Sequence, residues 1–306
     1  MPAARLTPRL VLLLTLPPLA WASNAVLGRA LSDSVPPILL NALRWTVVLA
    51  LLLPLTQGLW ARRCTWWQGW RWWLLSGVLG MAAYNALLYQ ALHTSSPVNV
   101  TLIAASLPVA MLVVGALFFH HHPTAGQAQG ALLCMAGVLV VVSQGSWQRL
   151  AQVHWVQGDA LMLAATLAWA GYSWLLTRPP ATLGPDWPWT NTLALQAIVG
   201  LLFAWPLSAA EQGWTGVALQ PSWALGAGVL FIALGPSLLA YRCWGLGVAQ
   251  GGPALAAFFA NLTPLFAALM SSALLGEAPQ AHHALAFGLI AAGISLSARR
   301  PAAGKP

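Results

Sequence analysis

SPVNVTLIAASLPVAMLVVGALFFHHHPTAGQAQGALLCMAG (residues 96–137) is answered later in the chain by GPALAAFFANLTPLFAALMSSALLGEAPQAHHALAFGLIAAG (residues 252–293). Pro97, Pro108, Pro123 and Gly137 of the first stretch match Pro253, Pro264, Pro279 and Gly293 of the second, each 156 residues on and each inside apolar sequence. In a chain rich in Ala and Leu, a shared Ala or Leu carries little, whereas four helix-breaking positions at one offset mark a duplicated unit. LAWASNAVLGR (Leu19 to Arg29) and LAWAGYSWLLTR (Leu167 to Arg178) extend the match upstream, at an offset of 148 or 149.

Composition places the duplicated unit in a bilayer. Hydrophobic residues are 59% of the 306-residue chain and charged residues 6%, which leaves too little polar surface for a soluble domain of this size. A spanning helix needs about 20 apolar residues to cross roughly 30 Å of hydrocarbon. Ten such runs are expected, near 9–30, 36–57, 71–93, 96–119, 125–145, 158–177, 189–208, 223–247, 253–275 and 281–298. The expected fold is all-α and integral to the membrane, with one five-helix unit in residues 1–150 and a second in 151–306. The first run follows Arg5 and Arg9 as a signal peptide would, but its LAWA match to the sixth run predicts a retained helix. Cys64, Cys134 and Cys243 are an odd set without metal or redox spacing.

Charge sets the expected orientation. With ten spans and the N-terminus inside, Arg5, Arg9, Arg62, Arg63, Arg71, Arg178, Arg299, Arg300 and Lys305 face the cytoplasm, against Arg29 and Arg149 outside, nine against two. This reading gives a multi-pass inner-membrane protein with both termini cytoplasmic. It accounts for the net charge of +8 through attraction to anionic lipid headgroups, with no nucleic-acid partner. Trp60, Trp66, Trp67, Trp70, Trp72 and Trp73 then read as an interfacial belt. Five spans per unit is an odd number, so the second unit enters from the opposite side and the two are inverted. Inverted units can exchange an inward gate for an outward one about a pseudo-two-fold axis in the membrane plane, the signature of secondary transporters.

Polar side chains at mid-span are costly in hydrocarbon, so a functional site is sought among them. Helical spacing aligns Asn85, Tyr89 and His93 on the third span and Ser237, Tyr241 and Trp244 on the eighth. On the first and sixth spans the repeat-related pairs Trp21/Asn24 and Trp169/Tyr172 occupy matching positions. Pro108 and Pro264 fall near the middle of the fourth and ninth spans, where each frees the carbonyl four residues back, at Ala104 and Ala260. Both are expected to act as kinks and gates, with Ser106 and Asn261 close by to serve the kink or a substrate. Gly130/Gly137 and Gly288/Gly293 permit close packing of the fifth and tenth spans.

Carboxylates inform by their scarcity. Asp33, Asp159, Asp186, Glu211 and Glu277 all fall at span ends or in loops, so none serves as a deep proton or sodium relay. Arg44 is expected to snorkel or pair with a carbonyl, as is Arg242, whose place beside Tyr241 also offers a substrate carboxylate a partner. A pathway this poor in fixed charge suits a neutral or zwitterionic solute. His120 to His122 and His282 with His283 sit in corresponding loops on opposite faces, so no metal site and no cofactor is expected. No HExxH, GxSxG or facing carboxylate pair points to catalysis.

WASNAVLGR in the first span, Arg44 in the second, SLP and LTP ending at Pro108 and Pro264, Gly158-Asp159 opening the sixth span, and LLGEAP around Glu277 together resemble the EamA-type transporters of the drug/metabolite transporter superfamily. The resemblance covers about residues 10 to 298. It implies a ten-helix carrier whose central cavity is lined by spans one, three, four, six, eight and nine, and which exports amino acids, some of them aromatic, or other small metabolites. His121 stands where Glu277 stands in the second unit, a departure from the family pattern. The expected site takes its apolar and π contact from Trp21, Tyr84, Tyr89, Trp169, Tyr172, Tyr241 and Trp244, and its polar orientation from Asn24, Asn85, Asn99, Ser237 and Asn261. The expected partners are a small-molecule substrate and membrane lipids, with the protein a monomer or homodimer. Two other classes stay open at this point: a membrane enzyme acting on a lipid, and a divalent-metal carrier using the histidine runs.

Overall fold

The computed structural model describes residues 6–31, 34–56, 58–151, 154–184, 186–215, 219–275 and 280–298, and every regular element among them is helical. Asp33, Glu277, Arg299, Arg300 and Lys305 lie outside the described residues, as do the side chains of Arg29, Tyr89, His93 and Arg149.

The apolar runs become helices whose ends are set by identifiable caps. After α1 (Pro8–Ala30), α2 (Pro37–Leu52) begins with proline at its first position. Its free N–H groups are taken up from another helix: both Glu211 carboxylate oxygens accept from Ile38 N, at 3.1 and 2.9 Å, and one also accepts from Leu39 N at 3.1 Å. The tryptophan-rich segment forms α3 (Arg63–Gln68) and α4 (Trp70–Gly77), which continues through a π-turn at Val78–Ala83 into α5 (Tyr84–Thr94). The expected fourth span is two helices, α6 (Pro97–Ala104) and α7 (Leu107–Phe119), broken at Ala105 and Ser106. Next, α8 (Ala125–Ser143) opens on a Thr124/Gln127 capping box, and the short α9 (Trp147–Ala151) precedes α10 (Gln157–Leu175).

In the second half, α11 (Trp189–Thr215) runs past the expected end at residue 208, and α12 (Trp223–Ile232) passes through a second π-turn at Ala233–Leu239 into α13 (Ala240–Ala260). Gly252, at φ 82, interrupts α13, because only glycine adopts that conformation without strain. A second break at Asn261 leads to α14 (Leu262–Leu275) and then α15 (Ala281–Ser297). Five stretches among the described residues are long and apolar enough to cross a membrane: Pro8–Gly28, Pro37–Leu55, Ala125–Ser143, Trp189–Gly213 and Trp223–Ala260, the last of which Gly252 divides. Of the remaining expected runs, 158–177 forms α10, as long as α8 but less apolar, and the others are present as shorter or interrupted helices.

Packing brings the two halves together at equivalent positions. Helices α8 and α15 run antiparallel in close contact: a Cβ at Gly130 would meet Gly293 O at 2.6 Å, and one at Gly137 would meet Ala286 O at 2.9 Å. Cys134 Sγ donates to Ile290 O at 3.6 Å, a pair separated by the 156-residue offset. Reciprocity completes the pattern, since 137 touches 286 while 130 touches 293, and each of these is the other's image under the offset. With lipid tails as apolar as leucine, such contact relies on small residues that let backbones approach. Gly288 does not take part, having open space around it, and Gly126 against Leu296 O supplies the close approach instead. Around the bundle, exposed side chains such as Leu117, Phe118, Leu132 and Leu202 form an apolar exterior, with Trp60, Trp67 and Trp70 exposed near one end and Trp155 and Trp223 near the other.

Candidate functional site

Six of the expected aromatic residues converge where the halves meet. Trp21 lies edge-on to its repeat counterpart Trp169 with ring centroids 5.2 Å apart, and tilted against Trp244 at 5.3 Å. Trp169 in turn contacts Tyr84 at 5.3 Å, Tyr172 at 5.1 Å, Tyr241 at 5.5 Å and Trp244 at 5.6 Å. Edge-to-face and tilted geometries bring ring edges onto π faces, which adds to the burial of the rings. Gly80 makes room for the cluster, since a Cβ there would stand 2.6 Å from the Tyr172 ring.

The polar tips of these rings are directed at backbone. Tyr241 OH donates to Gly80 O at 2.8 Å and Trp21 Nε1 to Pro236 O at 3.2 Å. The two acceptors sit in the two π-turns, 156 residues apart. A π-turn disrupts the regular α-helical ladder and often marks a functional position, so an aromatic donor on each carbonyl meets a local need. Trp244 Nε1 donates to Ser173 Oγ at 3.1 Å, and Ser173 Oγ to Trp169 O at 2.8 Å, which ties the C-terminal part of α10 to α13.

The other expected residues take different places. Asn24 is half-buried on α1, one turn from Trp21. Asn85 is buried near the cluster's first π-turn, with Nδ2 lacking a hydrogen-bond partner. Ser237 is fully buried but directs its hydroxyl back to Ile232 O, 2.9 Å away at the end of α12. Asn99 does not join the cluster. It caps helix ends instead, with Nδ2 donating to Asp159 Oδ2 at 3.1 Å and to His154 O at 3.0 Å, while Asp159 also accepts from Ser95 Oγ and Val156 N. Asn261 stands at the α13–α14 break and donates to Ala105 O at 3.2 Å, in the α6–α7 break, again across the 156-residue offset. The breaks beside Pro108 and Pro264 therefore meet each other, and the carbonyl taken up is that of Ala105 rather than the expected Ala104. Ser106 Oγ serves the break as well, bonding to Ile103 O at 2.6 Å.

The two arginines find different settings, and that of Arg44 departs from the sequence reading. Arg242 offers its guanidinium to the Trp189 ring, 4.8 Å from the centroid. Arg44 neither snorkels nor meets a carbonyl. It is 4% exposed, its guanidinium carbon lies 5.6 Å from the Trp45 ring centroid, and its Nε has no hydrogen-bond partner. Trp45, absent from the expected set, packs edge-on to Tyr241 at 4.9 Å. Its spacing of four residues from the polar Asn41 was the one trace in the sequence, too slight to tell core from lipid. Among the described residues no three His, Cys, Asp or Glu side chains come together as a metal site, and His283 Nδ1 accepts from Gln280 N at 3.0 Å to close the start of α15.

Apolar helices that bury an aromatic centre and leave an apolar exterior describe a multi-pass membrane protein. The EamA-like transporter family matches residues 9–143 and again 156–299, so the chain belongs to that family. It is 24% identical over 285 residues to the aromatic amino acid exporter YddG of Ancylobacter novellus, covering 91% of this chain and 93% of that protein. It is 27% identical over 227 residues to a probable terminal-alkyne amino-acid exporter of Streptantibioticus cattleyicolor, covering 74% of this chain and 72% of that one. An uncharacterized transporter, YyaM of Bacillus subtilis, is 27% identical over 204 residues, 65% of this chain, and the chain spans 64% of YyaM's length. A solved structure described only as a protein shares the fold at a TM-score of 0.74 and 22% identity, over 94% of this chain and 95% of that one.

Proposed function

We propose that this chain is a ten-span inner-membrane carrier that exports small neutral or zwitterionic metabolites, amino acids and among them aromatic ones, by alternating access. In this reading residues 1–150 and 151–306 are inverted five-helix halves, both termini are cytoplasmic, and the carrier works without a cofactor as a monomer or homodimer. Support for inversion comes from the reciprocal contacts of antiparallel α8 and α15: a two-fold axis is the relation that pairs 137 with 286 and 130 with 293, and it must cross those helices. Support for the substrate class comes from the two relatives named as amino-acid exporters.

The observation that carries the reading is the aromatic centre itself, assembled from both halves at the positions where equivalent residues touch. Its rings supply apolar and π contact to a side chain, and the two π-turns lie beside it on the spans that would move. Flux of labelled phenylalanine in proteoliposomes tests the proposal. Trp169→Ala and Asn85→Ala are expected to lower flux at least tenfold, and unchanged flux in both would remove the centre from the pathway.

A further inference from the structure

Three buried side chains on one face of α2 are left with unpaired polar atoms. Asn41, Arg44 and Trp45 are 2%, 4% and 1% exposed. Spacing of three and four residues places them on adjacent turns of the same helix face. Asn41 Nδ2 is committed to Met81 O at 3.3 Å, which fixes the amide's orientation and leaves Oδ1, an acceptor, with no partner. Arg44 Nε and Trp45 Nε1, both donors, have none either. No carboxylate pairs with Arg44 among the described residues.

Such an arrangement is costly without a ligand. A guanidinium removed from water is normally paired, and each unpaired buried donor or acceptor forfeits its solvation. Two donors, one of them cationic, match a carboxylate; a lone acceptor one turn away matches an ammonium. From these atoms we infer that the Asn41/Arg44/Trp45 face is the subsite for an α-amino-acid zwitterion, with the carboxylate on Arg44 and Trp45 and the ammonium on Asn41 Oδ1. Trp45 packs against Tyr241 with ring centroids 4.9 Å apart, so the subsite adjoins the aromatic centre that would hold the substrate's side chain. The inference rests on the carrier reading and deepens it by naming the chemistry of the transported solute.

Calorimetric binding to the full-length protein in detergent tests it, with L-phenylalanine, 2-phenylethylamine, which lacks the carboxylate, and 3-phenylpropionate, which lacks the ammonium. Wild type is expected to bind phenylalanine about tenfold to hundredfold tighter than either truncated analogue, the range set by one charge-assisted contact. Arg44→Met is expected to drop phenylalanine to the level of phenylethylamine and leave phenylethylamine unchanged. Asn41→Leu is expected to drop it to the level of phenylpropionate and leave phenylpropionate unchanged, while Asn41→Asp, which keeps an acceptor, retains the preference for the ammonium. A misfolded variant weakens all three ligands and is recognised by that pattern, in which case the wild-type comparison alone decides. Equal wild-type affinity for the three ligands, equal loss of phenylalanine and phenylethylamine in folded Arg44→Met, or no binding by wild type overturns the subsite. The carrier reading survives any of these if flux of another solute still depends on Trp169.

Discussion

Removing the Tyr241 hydroxyl and removing the Asn85 amide should push the protein in opposite directions. In the described structure Tyr241 OH holds Gly80 O and Trp21 Nε1 holds Pro236 O. If the two halves exchange conformations during transport, each bond is replaced by its image. Asn85, the counterpart of Tyr241, then serves Pro236 O, and Trp169, the counterpart of Trp21, serves Gly80 O. Asn85 Nδ2 is buried and unpartnered in the described state, as a donor reserved for the exchanged state would be. A hydrogen bond inside a membrane protein contributes about 0.6–1.4 kcal/mol, so losing one shifts a two-state equilibrium about threefold to tenfold. Tyr241→Phe should disfavour the described state by that factor, and Asn85→Leu should favour it. Distances between spin labels report the populations: Ala125 with Gln250, and their counterparts Ala281 with Thr94, are exposed pairs expected on opposite faces whose distance distributions should trade places. The double variant should return towards the wild-type ratio, which general damage would not do. Shifts of the same sign in both single variants, or none in either, would refute the exchange.

Three further outcomes follow from the packing. Gly293→Val would place its Cβ 2.6 Å from Cys134 Sγ and 2.7 Å from Gly130 O, so the α8–α15 contact should weaken by about 2–3 kcal/mol, read as a lowered melting temperature in detergent. Asp159→Ala removes the acceptor shared by Ser95, Asn99 and Val156 N and should cost about 1–3 kcal/mol of stability without changing ligand affinity in the protein that remains folded; altered affinity would return Asn99 to the binding site. Glu211→Gln leaves the N-terminus of α2 without its anionic cap and should cost about 0.5–2 kcal/mol, measured by the same thermal assay, with no loss predicted for the exposed Asp186→Asn control.

The double match to the family was legible because prolines and glycines mark the chain at discrete positions that Ala/Leu drift does not erase. Pro108 and Pro264 announced the breaks, and the LAWA match announced that Trp21 and Trp169 are counterparts, which the structure places in ring contact. The π-turns were not legible, since a π-turn reflects how a helix is loaded by its neighbours rather than local propensity; Gly80 and Pro236 at the common offset were a faint trace of them. Trp45 was hidden because a tryptophan in an apolar helix looks the same whether it faces lipid or core. Asn99 misled because a buried amide near a span end suits a cap as well as a ligand. Arg44 was read through the habit of long cations to reach water, a habit its surroundings on α2 suppress.

Positions 105 and 261, 134 and 290, and 21 and 169 each confront their own counterpart. Two identical halves would have to set amide against amide or alanine against alanine at the first of these places, and sulfur against sulfur or isoleucine against isoleucine at the second. Joining the halves in one polypeptide frees each member of a self-facing pair to become the other's complement, as Asn261 has for the Ala105 carbonyl. The seam between them can thereby be made unequal, so that one arrangement of the molecule is preferred at rest.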